Sequence, residues 1–125
     1  MNLAVWIVSG LLAAAFLLSG VMKVPATKES LAANPQMGWA APFPIGLIKL
    51  IGIAEIAGAL GLILPGAFGI APWLVPTAAV GLAVVMIGAI VTHGRRSEYP
   101  NVVANVLLLA LAVFVAVERF GPQTF

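Results

Sequence analysis

The chain has 125 residues, of which 62% are hydrophobic and only 8% are charged, with a formal net charge of +2. A soluble domain carries about 25% charged residues, so this composition excludes a water-soluble globule and indicates a membrane protein. The six Lys and Arg residues are few and scattered, which excludes nucleic acid as a partner. Because the chain has no cysteine, disulfides, thiolate nucleophiles and cysteine-based metal sites are excluded as well.

Four apolar runs predict four transmembrane helices, at about residues 3–22, 45–64, 73–92 and 102–120. Each run approaches the length of about 20 residues that a helix rising about 1.5 Å per residue needs to cross a hydrocarbon core. No Lys or Arg precedes the first run, so we expect a retained helix and not a cleaved signal peptide. The predicted fold is all-α, a single four-helix transmembrane bundle over residues 1–125.

Two of the connections between the runs are short, so the predicted helices on either side are antiparallel neighbours. Pro65-Gly66 is expected to end the second helix, because proline disrupts helical hydrogen bonding. Residues 95–101 separate the third helix from the fourth. Small residues of the third run, among them Gly88 and Thr92, fall on one face, where they either allow close helix packing or leave room for a ligand.

The first connection, residues 23–44, is long and rich in proline. Residues 27–33 are predicted to form one or two helical turns at the membrane interface, and Asn34-Pro35 is predicted to stop them. Trp39 is then expected among the lipid headgroups, where indole rings are enriched.

The distribution of positive charge predicts the orientation of the chain in the membrane. One end of the predicted bundle carries five of the six basic residues, namely Lys23, Lys28, Lys49, Arg95 and Arg96. Arg119 alone falls at the opposite end. Since cytoplasmic segments carry an excess of Lys and Arg, we expect the first and third connections in the cytoplasm of a bacterium and both termini outside its plasma membrane.

Glu55 is the most informative residue, because it lies ten residues into the second run, about 15 Å deep at about 1.5 Å per residue. A charged side chain at the centre of a bilayer costs about 2.5–3.5 kcal/mol on insertion scales. We therefore predict that Glu55 faces the bundle interior. It is either a protonated carboxyl bonded to a neighbouring helix or a proton-handling or ligand-binding carboxyl in an apolar cavity.

Further polar and aromatic side chains are predicted to share one half of the membrane with Glu55. The candidate ligand-binding residues are Lys23, Trp39, Lys49, Glu55, His93 and Asn105. They approach from different helices, so we expect a cavity that opens toward the first and third connections and binds an amphipathic apolar molecule. Glu55 is also the best candidate for a catalytic residue.

Several of these residues also have purely structural interpretations. Lys49 can snorkel to the headgroups, His93 can be an interfacial side chain, and Asn105 can hydrogen-bond across helices. Glu118 and Arg119 are expected to form an edge pair at the other end. A lone histidine without a second ligand at metal-binding spacing predicts no metal site.

The chain resembles the DoxX-like family of small four-helix membrane proteins. The resemblance rests on residues 19–23 (SGVMK), 51–62 (IGIAEIAGALGL) with Pro65, 79–82 (AVGL), 86–89 (MIGA), His93 and Arg95-Arg96. It implies a four-helix transmembrane bundle and carries family positions onto Lys23, Glu55, His93 and Asn105. It also implies a subunit or partner of membrane redox systems, including quinone-linked thiosulfate oxidation and oxidative-stress complexes, or an assembly chaperone for receptors as in a related branch.

Three classes of function follow as hypotheses. The first is a non-enzymatic membrane subunit or binding protein that holds an apolar small molecule. The candidate ligands are a quinone and an isoprenoid-like lipid, and quinone is the one candidate cofactor. The second is a membrane isomerase or hydrolase that uses Glu55 as acid and base. The third is an assembly factor without a ligand. The expected partners are membrane lipid, an apolar ligand, and other membrane-complex subunits or further copies of the chain.

Overall fold

The computed structural model describes residues 1–125, apart from the side chain of Gln36, and it is all-α. Its elements are α1 (Asn2–Lys23), α2 (Lys28–Ala33), a 3-10 helix (Pro35–Ala40), α3 (Ile45–Phe68), α4 (Leu74–Arg95) and α5 (Tyr99–Phe120). Within the described residues, four helices are long and apolar enough to cross a membrane, namely α1, α3, α4 and α5. The predicted all-α, four-helix transmembrane fold is confirmed.

The long helices form a closed ring of neighbours, because α1 packs against α3 and α5, and α4 packs against α3 and α5. Val5, Leu12, Phe16, Leu62 and Leu82 are among the buried side chains that fill the space between them. Large apolar side chains elsewhere on these helices are exposed on the outer surface of the bundle. That outward apolar surface suits contact with lipid chains. The backbone polar groups of a spanning helix are satisfied within the helix itself, so they need no water there.

Helix α3 continues through Pro65, so the prediction that Pro65-Gly66 ends this helix is wrong. Proline removes one backbone donor, but the other polar groups of a membrane segment still need helical partners, and the helix runs on to Phe68. It ends at Gly69, whose φ of 66° is left-handed and whose amide donates to the Pro65 carbonyl. Glycine adopts this conformation without a steric penalty.

Helices α1 and α3 approach closely where two glycines meet. A Cβ atom on Gly20 would lie 2.5 Å from the carbonyl oxygen of Gly52, and a Cβ on Gly52 would lie 2.8 Å from the Cβ of Lys23. Neither position therefore has room for a larger residue, as is typical of close helix contacts in lipid. This crossing sets the C-terminal turn of α1 against the middle of α3.

The first connection folds back over one end of the bundle. Thr27 caps α2: its hydroxyl accepts from the Ser30 amide, and the Ser30 hydroxyl accepts from the Thr27 amide. The predicted helical turns over residues 27–33 are thus confirmed. Leu31 is buried together with Ala40 and Ile48, which anchors the connection against α3 and positions the 3-10 helix beside the bundle.

Candidate functional site

A half-open cavity of about 390 Å³ lies between the helices at the end that the first connection covers. We call it the Glu55 cavity. Its polar lining consists of Ser19, Lys23, Glu55, Thr92, His93 and Asn105. Its apolar lining includes Phe16, Met37, Trp39, Phe43, Ile51 and Met86. All four spanning helices and the first connection contribute to it, so the site exists only in the assembled fold.

Glu55 is 2% exposed, and the prediction that it faces the bundle interior is confirmed. The Nζ atom of Lys23 lies 2.9 Å from Glu55 Oε1, which makes a buried ion pair. The Ser19 hydroxyl donates to the same oxygen at 3.3 Å, and Lys23 Nζ also donates to Ser19 Oγ. A buried carboxylate needs such a cation and such donors to offset its desolvation, so these three side chains form one connected network.

The α1–α3 crossing explains how this network is held. Ser19 and Lys23 are four residues apart and therefore lie on one face of α1. The close contact at Gly20 turns that face toward Glu55 in the middle of α3. The Lys23 ammonium also lies 5.8 Å from the centre of the Trp39 ring, within the range of a cation–π contact.

His93 stands near the end of α4 that carries the third connection, and it is held by an acid from that connection. Its Nδ1 atom lies 2.9 Å from Glu98 Oε1, and the side-chain nitrogen of Asn101 lies 3.3 Å from the same Nδ1. The contact links the imidazole of His93 to an acidic side chain of the third connection. The hydrogen bond with His93 lowers the pKa of Glu98 below its ordinary value, and Arg96, at 3.1 Å, acts in the same direction.

Trp39 packs edge-on against the His93 ring, with ring centroids 5.8 Å apart, and tilted against Phe43, with centroids 6.4 Å apart. It therefore joins the first connection to α4 and covers part of the Glu55 cavity. The contact also shows that the first and third connections lie at the same end of the bundle.

Asn105 lies on α5 and lines the same cavity. Its amide nitrogen is buried and has no hydrogen-bond partner among the described residues. Buried amide donors usually have a partner, so this nitrogen is the part of the lining most in need of an acceptor.

Lys49 is the candidate that the structure does not bring to the cavity. Its Nζ atom donates to the carbonyl oxygen of Val24 at 2.7 Å, just past the last turn of α1, where cations interact favourably with the helix dipole. Lys49 and Glu55 are six residues apart and point about 120° away from each other on a helix of 3.6 residues per turn. The other five predicted residues, Lys23, Trp39, Glu55, His93 and Asn105, all line the cavity.

Further polar residues, among them Ser19, Thr92 and Glu98, belong to this region, although they were not among the predicted site residues. Ser19 was detectable from its spacing to Lys23, whereas Glu98 lies in a connection whose path the sequence does not define. Thr92 and Gly88 line the cavity, and a Cβ on Gly88 would have nothing within 4 Å. Gly88 is exposed and has open space beside it, so it does not serve close helix packing.

These features define a small integral membrane protein with four spanning helices and a polar network buried beside a cavity between the helices. The family model of the DoxX-like family matches residues 7–115, and the chain belongs to that family. No curated protein and no solved structure matches the chain. Among the described residues, no group of three or more His, Cys, Asp or Glu side chains is arranged to hold a metal ion.

Proposed function

We propose that this protein is a membrane subunit or binding protein whose Glu55 cavity holds an apolar small molecule with a polar head, and that it serves a membrane redox or stress-linked system. The candidate ligands are a quinone and an isoprenoid-like lipid. The observation that carries the proposal is a cavity between the helices, with largely apolar walls and an unpartnered amide donor at Asn105.

The size and lining of the cavity support an amphipathic occupant. Ligand sites typically measure about 300–1,000 Å³ and combine apolar walls with a few polar groups that fix orientation, and about 390 Å³ falls in this range. A carbonyl or hydroxyl oxygen on the ligand would accept the hydrogen bond that Asn105 is able to donate. Trp39 and Phe43 offer ring faces and edges against which a planar head would pack.

An enzyme remains the second candidate, because the Glu55 carboxyl lies at a cavity wall and is bonded to Ser19 and Lys23. An isomerase or hydrolase would use Glu55 to move a proton on the bound molecule. Turnover that Glu55→Gln abolishes, with ligand binding retained, would identify an enzyme. An assembly factor without a ligand is the third candidate, and it requires no occupant of the cavity.

The experiment is mass spectrometry of the gently extracted protein, comparing wild type with Glu55→Gln and with Glu29→Gln as a matched control. Glu29 is exposed on α2 and is not part of the cavity lining. We expect a co-purified quinone or isoprenoid-like molecule in wild type and in the control, and at least a tenfold lower occupancy in Glu55→Gln. The double variant Lys23→Met with Glu55→Gln removes both charges. It leaves no buried charge without a partner, so it tests binding in a protein that is not destabilised in that way.

Equal occupancy in all variants would show that Glu55 does not contribute to ligand binding. A protein that carries no apolar molecule in any preparation would favour the assembly factor.

We also propose that the end of the bundle that holds the Glu55 cavity faces the cytoplasm of a bacterium. Its support is the charge distribution, since five basic residues lie at this end and Arg119 at the other. In this orientation the cavity opens toward soluble cytoplasmic molecules and partners.

A further inference from the structure

At the opposite end of the bundle, Arg119 is 3% exposed and is the one Lys or Arg residue among the described residues at that end. The expected edge pair with Glu118 is not among the ion pairs of the described residues. Arg119 instead donates from Nη1 to the side chain of Asn2 at 2.7 Å and to the carbonyl oxygen of Gln123 at 2.8 Å. These bonds tie the start of α1 to the segment that follows α5.

Two aromatic rings pack around the guanidinium group of Arg119. The Cζ atom lies 4.0 Å from the centre of the Phe125 ring and 5.4 Å from that of Trp6. These rings in turn pack edge to face on each other, with centroids 5.5 Å apart. Cation–π contacts of this kind hold the guanidinium in one position.

The two remaining nitrogens, Nε and Nη2, are buried and have no hydrogen-bond partner among the described residues. They form one edge of the planar guanidinium group, with two N–H donors that point in the same direction. Such an edge matches two oxygens of a phosphate or carboxylate group. A buried cation with an unfilled pair of parallel donors is therefore half of an anion-binding site.

Arg119 also lines a second cavity, of about 190 Å³, together with Pro72, Trp73, Pro76, Thr124 and Phe125. We call it the Arg119 cavity. It shares no residue with the Glu55 cavity. Trp73, 62% exposed at the start of α4, stands at the end of a spanning helix, where tryptophan is enriched beside lipid headgroups.

We propose that the Arg119 cavity binds a phosphate-type oxyanion, whose two oxygens accept from Nε and Nη2 of Arg119. The source of the anion is either the headgroup of a phospholipid or a soluble phosphate. The two nitrogens have almost no exposed surface, so binding in this way requires a side chain of the cavity wall to move aside. The alternative is that Arg119 only ties the two ends of the chain together.

The test uses the full chain in a neutral detergent and three probes: phosphatidylglycerol, diacylglycerol with the same acyl chains, and inorganic phosphate. Binding is read from adducts in native mass spectrometry and from the rise in melting temperature that a ligand of the folded state produces. We expect phosphatidylglycerol or inorganic phosphate to bind wild type, and diacylglycerol to bind at least tenfold more weakly. Binding of inorganic phosphate would identify a soluble anion as the ligand, and binding of the phospholipid alone would identify the headgroup.

Two variants separate a binding site from a structural tie. Arg119→Lys keeps the charge but loses the two-donor edge, and Thr124→Phe fills the cavity without changing the arginine. Each should weaken binding at least tenfold, whereas Arg95→Lys, at an exposed position at the other end, should leave it unchanged. If Arg119→Lys fails to fold, Thr124→Phe alone decides the matter. Unchanged binding in the variants, equal binding of diacylglycerol, or no binding of either phosphate probe would overturn the proposal.

Discussion

The ion pair between Lys23 and Glu55 should be a main determinant of stability, and Lys23→Met tests this directly. Methionine keeps an apolar side chain of similar length against Trp39 while it removes the ammonium group. Glu55, at 2% exposure, would then keep only the hydroxyl of Ser19 as a partner. Breaking one side of a buried ion pair typically costs about 3–5 kcal/mol, so we expect a loss of this size.

The double variant Lys23→Met with Glu55→Gln removes both charges, and no buried charge is left without a partner. Its cost should be clearly smaller than the sum of the costs of the two single variants, because residues in direct contact couple by about 0.5–3 kcal/mol. Lys28→Met is the control. Lys28 is exposed and donates to the carbonyl oxygens of Ala41 and Phe43, so its loss should cost about 0.5–1.5 kcal/mol.

The assay is reversible unfolding in mixed micelles by a denaturing detergent, followed by far-ultraviolet circular dichroism, which reports the loss of helix. The free energies of unfolding of wild type, the two single variants and the double variant form a double-mutant cycle, and the control Lys28→Met is measured beside it. A Lys23→Met variant no less stable than the control would refute the reasoning. Additivity of the single variants within about 0.5 kcal/mol would show that the two side chains do not interact.

Two further predictions concern the helix crossing and the orientation. Gly20→Ala should lower the free energy of unfolding by about 1–3 kcal/mol, because its Cβ would lie 2.5 Å from a backbone oxygen of α3. Gly88→Ala is the control and should not lower it, because a Cβ at this position would have nothing within 4 Å. Equal effects of the two variants would contradict the close crossing of α1 and α3. In intact cells, a cysteine at Ser97 should resist impermeant thiol reagents while one at Gln123 is labelled, and the reverse pattern would invert the orientation.

Hydropathy and the cost of burying charge account for what the sequence determined. Each apolar run predicts a spanning helix independently of its neighbours, and all four lie where the runs predict, with ends that differ by a few residues. The inward direction of Glu55 was predictable for a similar reason, because a carboxylate facing lipid has no partner to offset its desolvation. The capped turns that begin after Thr27 follow from local chemistry alone.

The pairing of side chains from different helices was decided by the tertiary structure. Lys23 reaches Glu55 because two glycines let α1 and α3 approach closely and set the rotation of α1 about its axis. Lys49, which the sequence places in the same half of the membrane, turns toward the end of α1 and away from the cavity. Depth along a helix can be counted from the sequence, but the direction of a side chain depends on how that helix packs.

The burial of Arg119 shows the same limit at the other end of the chain. By sequence it is a charged residue at the edge of a membrane helix beside Glu118, a position that is usually solvated. It is buried because Asn2, from the start of α1, and Phe125, beyond α5, converge on it. The contact with Asn2, at the other end of the chain, depends on the closed ring of four helices, and no local pattern of residues encodes that closure.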